Sequence, residues 1–382
     1  MAIVAAHKQD IESSLFKEST LPASQALSGP LVWTGADFDK MESYSLILTP
    51  QQVKEVDSAL ENFKSLALDV DDVAQANFCL PNLGPRLDMA AKQVHEGRGF
   101  VVVKGLDASR YSPRDSVIIF LGISAYIADQ RGLQDQKGNV LSHITSSKLW
   151  HVPQEKRHGI HSRNALPFHS DMGCDIHGLQ VRHCAEKGGY TYLSSAWTIF
   201  NKLMSCEPGV IKILMTPDWP VQICGTAMQY YMAPIFSLEE ARLMASVDPQ
   251  RLGPHAASKA GDIPRLTAAQ EYALERVARV AEQVELQLQL GQGDVVFFNN
   301  WALLHRRDGY EDGQHTSRHL VRLWLRNSQL GWSVAASMLK PWLAAYGKDL
   351  INKPRLYPLQ PMPTYTVPKY TTGSAAFVVE QD

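Results

Sequence analysis

The stretch GQGDVVFFNNWALLH, residues 291–305, decides the fold. It opens with a turn between two glycines, and 294–298 then forms a β-branched and aromatic run that predicts a buried strand. Just before it, 285–290 alternates strictly between polar and apolar residues, which predicts a half-buried strand. His305 comes at the end of the stretch, where the buried strand would reach the open mouth of a β core.

Helices are predicted on both sides of this β segment. Thr49 and Pro50 supply an N-cap and a first-turn proline before apolar residues at helical spacing. Thr267 and Gln270 form a capping box before an apolar stripe that extends to residue 284. Further helices are predicted over 86–96 and 113–127, strands over 97–106 and 318–326, an arm over 1–45, and an irregular proline-rich tail from Lys340 through Pro368. The expected organisation is a β core with helices outside it.

The composition is that of an ordinary globular protein without a strong electrostatic field. The chain has 382 residues, of which 45% are hydrophobic and 20% charged, and its net charge is −2. Neither nucleic acid nor an anionic membrane is therefore an expected partner, and a neutral or small polar ligand is preferred. Five scattered cysteines without a CxxC pair argue against a disulfide framework and a thiolate zinc site. Without a secretory signal, a membrane-spanning run or a peroxisomal ending, the expected location is cytoplasmic.

The segment LPFHSD, residues 166–171, carries two candidate metal ligands. Residues i and i+2 of a strand point to the same face, so His169 and Asp171 can present a nitrogen and an oxygen to one point. His305 can supply a third ligand from a facing strand. Two histidines and one carboxylate leave three positions open, which suits Fe(II) that binds a chelating cosubstrate together with O₂. Zinc is usually satisfied by tetrahedral closure or by one open position. An isolated HxD pattern is a weak signal, and a surface turn is the alternative.

The strand RHLVRLWLR, residues 318–326, adds two arginines on one face. Arg318 and Arg322 can both point into the cavity of the histidine. The leucines between them indicate a buried strand, and a buried arginine needs a partner. A guanidinium offers a planar fork to a carboxylate such as the distal group of 2-oxoglutarate. A solvated face or an ion pair is the alternative.

The remaining histidines and aromatic residues are given less specific interpretations. The loop histidines before the metal strand are interpreted as solvated or lid contacts, and two near the arginine strand as structural: His151, His158 and His161, then His315 and His319. Candidates for lining a substrate pocket are Trp150, Asn164, Phe168, Arg322 and Trp324. Core packing is the alternative for the aromatic residues.

Four motifs in this order resemble the taurine dioxygenase (TauD/TfdA) family, and most closely its fungal, clavaminate-synthase-like members. They are HSD at 169–171, GGYTYLSSAW at 188–197, GDVVFFNNWALLH at 293–305 and RHLVRLWLR at 318–326. The resemblance implies an α+β fold whose core is a double-stranded β-helix (jelly roll) over residues 95–330. An N-terminal arm and helices (1–95) would pack on this core, and the whole chain, 1–382, would be one domain with an irregular C-terminal tail.

The resemblance also implies roles for individual residues. It makes His169, Asp171 and His305 the iron ligands, and Arg318 the partner of the C5 carboxylate of 2-oxoglutarate. Thr191 of the GGYT turn would hydrogen-bond to the same carboxylate.

Arg322 is also predicted to be a cofactor-binding residue. It matches a position that meets an anionic substrate group in sulfonate-using relatives, so it is a candidate substrate contact as well. An arginine that braces the iron loop is the alternative for Arg322. Tyr190 departs from the acidic residue often found in the GGYT turn.

The implied activity is an Fe(II)- and 2-oxoglutarate-dependent oxidation, with O₂, of an unactivated C–H bond in a small molecule. The expected substrate is an amino acid or a secondary metabolite, and the outcome is hydroxylation, desaturation or ring closure with release of succinate and CO₂. Three alternatives stay open: a cupin-type metalloenzyme without 2-oxoglutarate, a non-catalytic β-barrel binding module, and a hydroxylase acting on a partner protein. A homodimer is compatible with the resemblance.

Overall fold

The computed structural model describes residues 26–223, 229–254, 263–314 and 316–367. The expectations for residues 1–25 of the arm, for His315 and for the tail beyond residue 367, Pro368 included, lie outside these ranges. The helices of the described residues are α1 (Pro50–Ser65), α2 (Gly84–His95), α3 (Pro113–Ser124), α4 (Ala196–Cys206), α5 (Pro208–Met215), α6 (Ala268–Val284) and α7 (Leu339–Tyr346). The strands are β1 (Ser45–Ile47), β2 (Phe100–Lys104), β3 (Gln130–Arg131), β4 (Leu141–Thr145), β5 (Leu166–His169), β6 (Ile176–His183), β7 (Lys187–Gly188), β8 (Thr191–Ser195), β9 (Trp219–Ile223), β10 (Gln229–Ala233), β11 (Phe236–Glu239), β12 (Arg242–Ala245), β13 (Leu286–Gln287), β14 (Val295–Asn299), β15 (Leu303–Arg307), β16 (Tyr310–Glu311) and β17 (His319–Arg326).

The larger sheet is covered on both faces. Its order is β1-β2-β14-β6-β17, and β3 and β4 pair one after the other along the outer edge of β17. On β14, Val296 and Phe298 join one hydrophobic cluster, whereas Val295 and Phe297 join a second cluster with helices α1, α2 and α3. Burial on both faces explains why the VVFF run is apolar at every position.

The smaller sheet, ordered β13-β8-β15-β5, packs on the inner face of the larger one. Its register places Leu193 of β8 opposite His305 of β15, and His305 opposite His169 of β5. Helix α6 packs on the outer face, where the Ser194 hydroxyl donates to the Ala281 carbonyl at 3.1 Å. The two histidines of the HxD and LLH motifs therefore lie side by side on the smaller sheet.

The structure confirms the predicted helices on both sides of the core and shifts some strand boundaries. The prediction of an irregular tail from Lys340 is wrong at its start, where the chain forms helix α7. Helix α1 begins at Pro50 and α6 follows Thr267, each behind a complete capping box. The strand predicted over 285–290 is shorter and covers only Leu286–Gln287, although the burial of this stretch still alternates. Among the described residues, no helix combines the length and the apolar composition needed to cross a bilayer.

Candidate metal and cosubstrate site

The three predicted metal ligands lie together where the two sheets meet. One candidate ligand atom from each of His169, Asp171 and His305 lies within 4.8 Å of the other two. His169 Nε2 is 3.8 Å from Asp171 Oδ1, and the rings of His169 and His305 are 4.1 Å apart between centroids. Asp171 joins the group from the turn after β5 rather than from the strand on which the sequence argument placed it. The donor set of two imidazoles and one carboxylate fits Fe(II).

The second carboxylate oxygen of Asp171 is held by the larger sheet. Arg322 Nη1 donates to Oδ2 at 2.8 Å and Trp324 Nε1 donates to it at 3.0 Å. His177 Nε2 lies 3.2 Å from the same oxygen. Burial alone would raise the pKa of Asp171, but Arg322 and His177 outweigh it and hold this pKa well below its usual value. Asp171 is therefore an anion whose Oδ1 is left facing His169.

The two histidines can each offer a lone pair to a metal. His169 Nδ1 donates to the Pro167 carbonyl at 2.8 Å, which leaves Nε2 as the ligand nitrogen. Burial, reinforced by His169 and His177, lowers the pKa of His305 well below its usual value. A neutral imidazole is the form that binds a metal.

A buried arginine faces a cavity on the inner side of the smaller sheet. The cavity has a volume of about 90 Å³, and Arg318, Thr191 and Leu320 are among the residues that line it. Arg318 Nε donates to the Gly189 carbonyl at 3.0 Å, whereas Nη1 is buried without a hydrogen-bond partner among the described residues. Burial, with Arg307 nearby, lowers the pKa of Arg318 to about 9. A buried guanidinium with a spare donor requires an anion, and the C5 carboxylate of 2-oxoglutarate fits.

The glycines before Thr191 give Arg318 its room. Gly189 has a φ of 70°, and a Cβ atom on it would lie 2.8 Å from Arg318 Cδ and 2.9 Å from Nε. The motif therefore needs glycine here both for the backbone conformation and for the close approach of the arginine. Tyr190 is exposed, so its departure from an acidic residue leaves the buried part of the turn unchanged.

The residues predicted to line a substrate pocket make other contacts in the structure. Phe168 is buried in the main hydrophobic cluster, on the face of β5 opposite His169. The Asn164 side chain is exposed, and its carbonyl accepts a hydrogen bond from Arg307. Arg322 and Trp324 both bind Asp171, so Arg322 has the bracing contact that was its alternative interpretation.

The histidines outside the triad mostly pack against other parts of the chain. His319 Nε2 lies 2.7 Å from His143 Nδ1, which agrees with a structural role. The His158 amide donates to the Tyr365 hydroxyl of the tail at 2.7 Å, and the His161 ring packs on the same tyrosine. Trp150 also stacks on Tyr365, at 4.9 Å between centroids. The loop before the metal strand is thus fastened to the C-terminal tail.

Three buried polar residues beside the triad were missed in the sequence: His177, Gln134 and Asp248. His177 pairs across the sheet with Trp324, and Gln134 Oε1 accepts from Arg322 Nε at 2.6 Å. The signal for His177 in the sequence was weak, because its strand also carries the polar residues Gln180 and Arg182. Burial raises the pKa of Asp248, and the charges of His169 and Arg251 oppose that rise. No pattern in the sequence points to Gln134 or Asp248.

Residues 62–324 match the family model described as "Taurine catabolism dioxygenase TauD, TfdA family". The chain belongs to this family. This TauD/TfdA-family chain is therefore an Fe(II)- and 2-oxoglutarate-dependent dioxygenase, and the binding-module and cupin-type alternatives lose their support. The taurine hydroxylase-like protein SAT17 of Stachybotrys chartarum is 29% identical over 360 residues, which cover 92% of this chain and 93% of the relative. The γ-butyrobetaine dioxygenase of Homo sapiens is 26% identical over 197 residues, 46% of each chain.

Solved structures of iron oxygenases share the fold of this TauD/TfdA-family chain. Asparagine oxygenase in complex with Fe(II), 3-hydroxyasparagine and succinate superposes with a TM-score of 0.59 at 13% identity, over 74% of this chain and 93% of that chain. The non-heme iron oxygenase OrfP in complex with Fe gives a TM-score of 0.56 at 17% identity, over 74% and 94%. These likenesses confirm the predicted α+β fold with a jelly-roll core.

Proposed function

We propose that this chain oxidises an unactivated C–H bond of an amino acid or a secondary metabolite, by hydroxylation, desaturation or oxidative ring closure. In this proposal His169, Asp171 and His305 hold Fe(II), and Arg318 with Thr191 binds the C5 carboxylate of 2-oxoglutarate. The observation that carries it is the spare, buried guanidinium nitrogen of Arg318 on the inner side of the sheet that bears His305. Bound iron would activate O₂, which is the oxidant, while 2-oxoglutarate would serve as the co-reductant and be released as succinate and CO₂.

In this proposal the side chains around the site orient the metal ligands and exclude water. With Oδ2 of Asp171 bonded to Arg322 and Trp324, one carboxylate oxygen remains for the metal. A one-oxygen contact keeps three coordination positions open for a chelating cosubstrate and O₂. Phe298 packs 5.1 Å from the His305 ring, between centroids, and shields the inner side of the site from water.

A small-molecule substrate is supported by the relatives. The asparagine oxygenase structure contains hydroxyasparagine, and one OrfP structure contains a hydroxylated arginine. The similarity to the taurine hydroxylase-like protein extends over nearly the whole of both chains. A homodimer, a cytoplasmic location and a single domain over 1–382 stay predictions.

The proposal is tested by the visible absorption of the anaerobic protein with Fe(II) and 2-oxoglutarate. We expect a weak charge-transfer band that is absent from the His169→Ala variant, because chelation at the metal produces it. Arg318→Met should need about a hundredfold more 2-oxoglutarate for the same band, since a buried charge partner is lost. Arg182→Met is the matched control. Arg182 is partly buried, and its guanidinium donates weakly to the Pro113 carbonyl on the outer side of the larger sheet, away from the cavity of Arg318.

Two outcomes would contradict the proposal. Iron binding without the band would mean that the cosubstrate is not chelated at the triad. Equal 2-oxoglutarate dependence of the Arg318 and Arg182 variants would remove the assigned role of Arg318. With the band established, succinate release in the presence of amino acids and small metabolites, and then of candidate protein partners, decides between the two substrate classes.

A further inference from the structure

The segment after β12 is fastened to the metal strand by its backbone. The Ser170 amide donates to the Val247 carbonyl at 2.6 Å, and the Val247 amide donates to the Ser170 hydroxyl at 2.9 Å. Ser170 lies between His169 and Asp171, so this pairing carries the neighbouring Asp248 to the edge of the metal site. The position of Asp248 is therefore fixed by the same segment, the end of β5 and the turn after it, that positions two of the candidate ligands.

Asp248 and His169 line one small cavity. Its volume is about 20 Å³, and the other residues that line it include His158, Ile160, Leu166 and Gln250. A cavity of this size holds about one water molecule. A primary ammonium group or the tip of a guanidinium group is of similar size, so the cavity can admit the end of a ligand that reaches the metal from this side.

The carboxylate of Asp248 is buried without an ion pair. Asp248 is 3% exposed, and its Oδ1 accepts one hydrogen bond, from the Gln250 amide at 3.0 Å. Arg251 and His169 are the groups whose positive charge acts on Asp248, Asp171 is a second anion, and His158 lines the same cavity. Within the residues that the structure describes, no cation approaches Asp248 to within the 4.0 Å of an ion pair. Burying a carboxylate in this way is costly unless a ligand completes its hydrogen bonds.

We propose that Asp248 is a specificity-determining residue that binds a positively charged nitrogen of the substrate, an ammonium or a guanidinium group, beside His169. The inference rests on the proposed function and narrows its substrate class to cationic small molecules. A charged hydrogen bond at this point would fix the substrate end-on and so select the carbon that lies next to the iron.

A purely structural role for Asp248 makes a different prediction. Its Oδ1 caps the short turn Pro249–Arg251, and an asparagine can accept the same amide hydrogen bond. Asp248→Asn therefore keeps the cap and removes the charge. If the cap is all that matters, this variant behaves like the unchanged protein towards every ligand.

The test uses the full chain with Fe(II) and 2-oxoglutarate under anaerobic conditions. Matched pairs of probes are added, each an amine and an acetylated partner without any positive charge: L-arginine with Nα-acetyl-L-citrulline, L-lysine with Nα,Nε-diacetyl-L-lysine, and L-asparagine and taurine with their N-acetyl derivatives. The change in the charge-transfer band reports occupancy next to the iron. We expect at least one amine to shift the band and its acetylated partner to bind about tenfold to a hundredfold more weakly, as expected for a lost charged hydrogen bond.

The variants then assign the effect to Asp248. Asp248→Asn should weaken the amine by a similar factor and leave the 2-oxoglutarate dependence of the band unchanged. Asp294→Asn is the matched control, because Asp294 is 4% exposed but paired with Lys104, and it should leave amine binding unchanged. Equal binding of amines and acetylated partners, no response to any amine, or an unaltered Asp248→Asn variant would overturn the inference. Loss of the band before any amine is added would instead refute the proposed function.

Discussion

The cavity lined by Arg318 and the cavity lined by Asp248 and His169 are built from different parts of the chain, and their buried ionisable groups have opposite charges. The larger one lies between strands and a glycine turn, and its buried charge is the cation Arg318. The smaller one lies between strand β5, the short turn that contains His158 and the segment after β12, and its buried acidic group is Asp248. Each charge lacks an ion-pair partner within the described chain, so each cavity is suited to a ligand of the opposite sign.

The difference separates what is shared by an oxygenase family from what distinguishes its members. Strand positions are set by register and burial, so a cosubstrate site on strands is held in place by the fold itself. Loops tolerate change and are the usual place for substrate recognition. We therefore expect substitutions near Arg318 to affect 2-oxoglutarate alone, and substitutions near Asp248 to affect the substrate alone.

Gly189→Ala should weaken 2-oxoglutarate binding at the cavity of Arg318, and we expect the largest effect from this variant. The new Cβ would lie 2.8 Å from Arg318 Cδ, and the residue has a φ of 70°. Alanine in this conformation costs about 1–3 kcal/mol, and the clash displaces the arginine. We expect 2-oxoglutarate affinity to fall about a hundredfold in the anaerobic titration, since a buried charge contact is misplaced.

A matched glycine controls for the loss of backbone freedom. Gly209 lies in α5, and a Cβ atom there would meet nothing within 4 Å. Gly209→Ala should leave the titration unchanged and keep or slightly raise the unfolding temperature. If Gly189→Ala binds 2-oxoglutarate as the Gly209 variant does, Arg318 does not need the glycine, and the account of the GGYT turn is wrong.

Trp324→Phe should weaken 2-oxoglutarate binding and amine binding equally, because it acts on the metal ligand Asp171. The change removes the indole donor 3.0 Å from Asp171 Oδ2 and keeps an aromatic ring in the strand. Loss of a hydrogen bond behind a metal ligand typically costs about tenfold in metal affinity. Fe(II) titration measures this, with 2-oxoglutarate and amine affinities compared at saturating iron.

Trp219→Phe is the control for this change. Trp219 is also fully buried, but its indole donates to the Ile213 carbonyl at 3.0 Å, far from the metal in the topology. Both variants should lose similar stability, and only Trp324→Phe should lose iron. A selective loss of 2-oxoglutarate or of amine binding in Trp324→Phe would show that this indole belongs to one cavity, as the sequence prediction of a substrate-lining role required.

The cosubstrate side was more predictable from the sequence than the substrate side, for a physical reason. Strand periodicity is a local signal, and it predicted that Arg318 and Arg322 share a buried face; the role of Thr191 came from the family resemblance of its turn. The structure places Arg318 and Thr191 at one cavity. His169 and His305 followed from strand periodicity as well. The sequence also predicted which face of the strand Trp324 lies on. It did not predict the partner of Trp324, because that partner, Asp171, reaches the strand from a turn.

The residues that were missed are placed by long-range pairing. Asp248 reaches the site because Val247 bonds to Ser170, a contact that no local pattern encodes. Gln134 likewise meets Arg322 only through the fold. The short strand Leu286–Gln287 shows the converse, because alternation predicted its burial correctly but not where the hydrogen-bonded ladder stops. Sequence periodicity thus predicts the face of a residue better than its partner.

Tyr365→Phe should give the smallest effect, and this effect should be confined to amine binding at the cavity of Asp248. The Tyr365 hydroxyl accepts from the His158 amide at 2.7 Å, and His158 lines the cavity of Asp248. The variant keeps the ring that stacks on Trp150 and loses one hydrogen bond, worth about 0.5–1.5 kcal/mol. If the freed amide lets the loop shift, amine affinity falls about twofold to tenfold.

The control for the last variant is Tyr272→Phe, which removes a hydroxyl that donates to Glu207 at 2.7 Å on the helical surface. It should leave both affinities unchanged. Equal losses of 2-oxoglutarate and amine binding in Tyr365→Phe would mean that the tail supports the whole site rather than one cavity. A loss for the amine alone would show that Tyr365 takes part in shaping the substrate cavity, because its hydroxyl bonds to His158 and its ring packs on Trp150 and His161, whereas Arg318 is not among its contacts. The separation of the two cavities would then extend beyond their walls to the elements that support them.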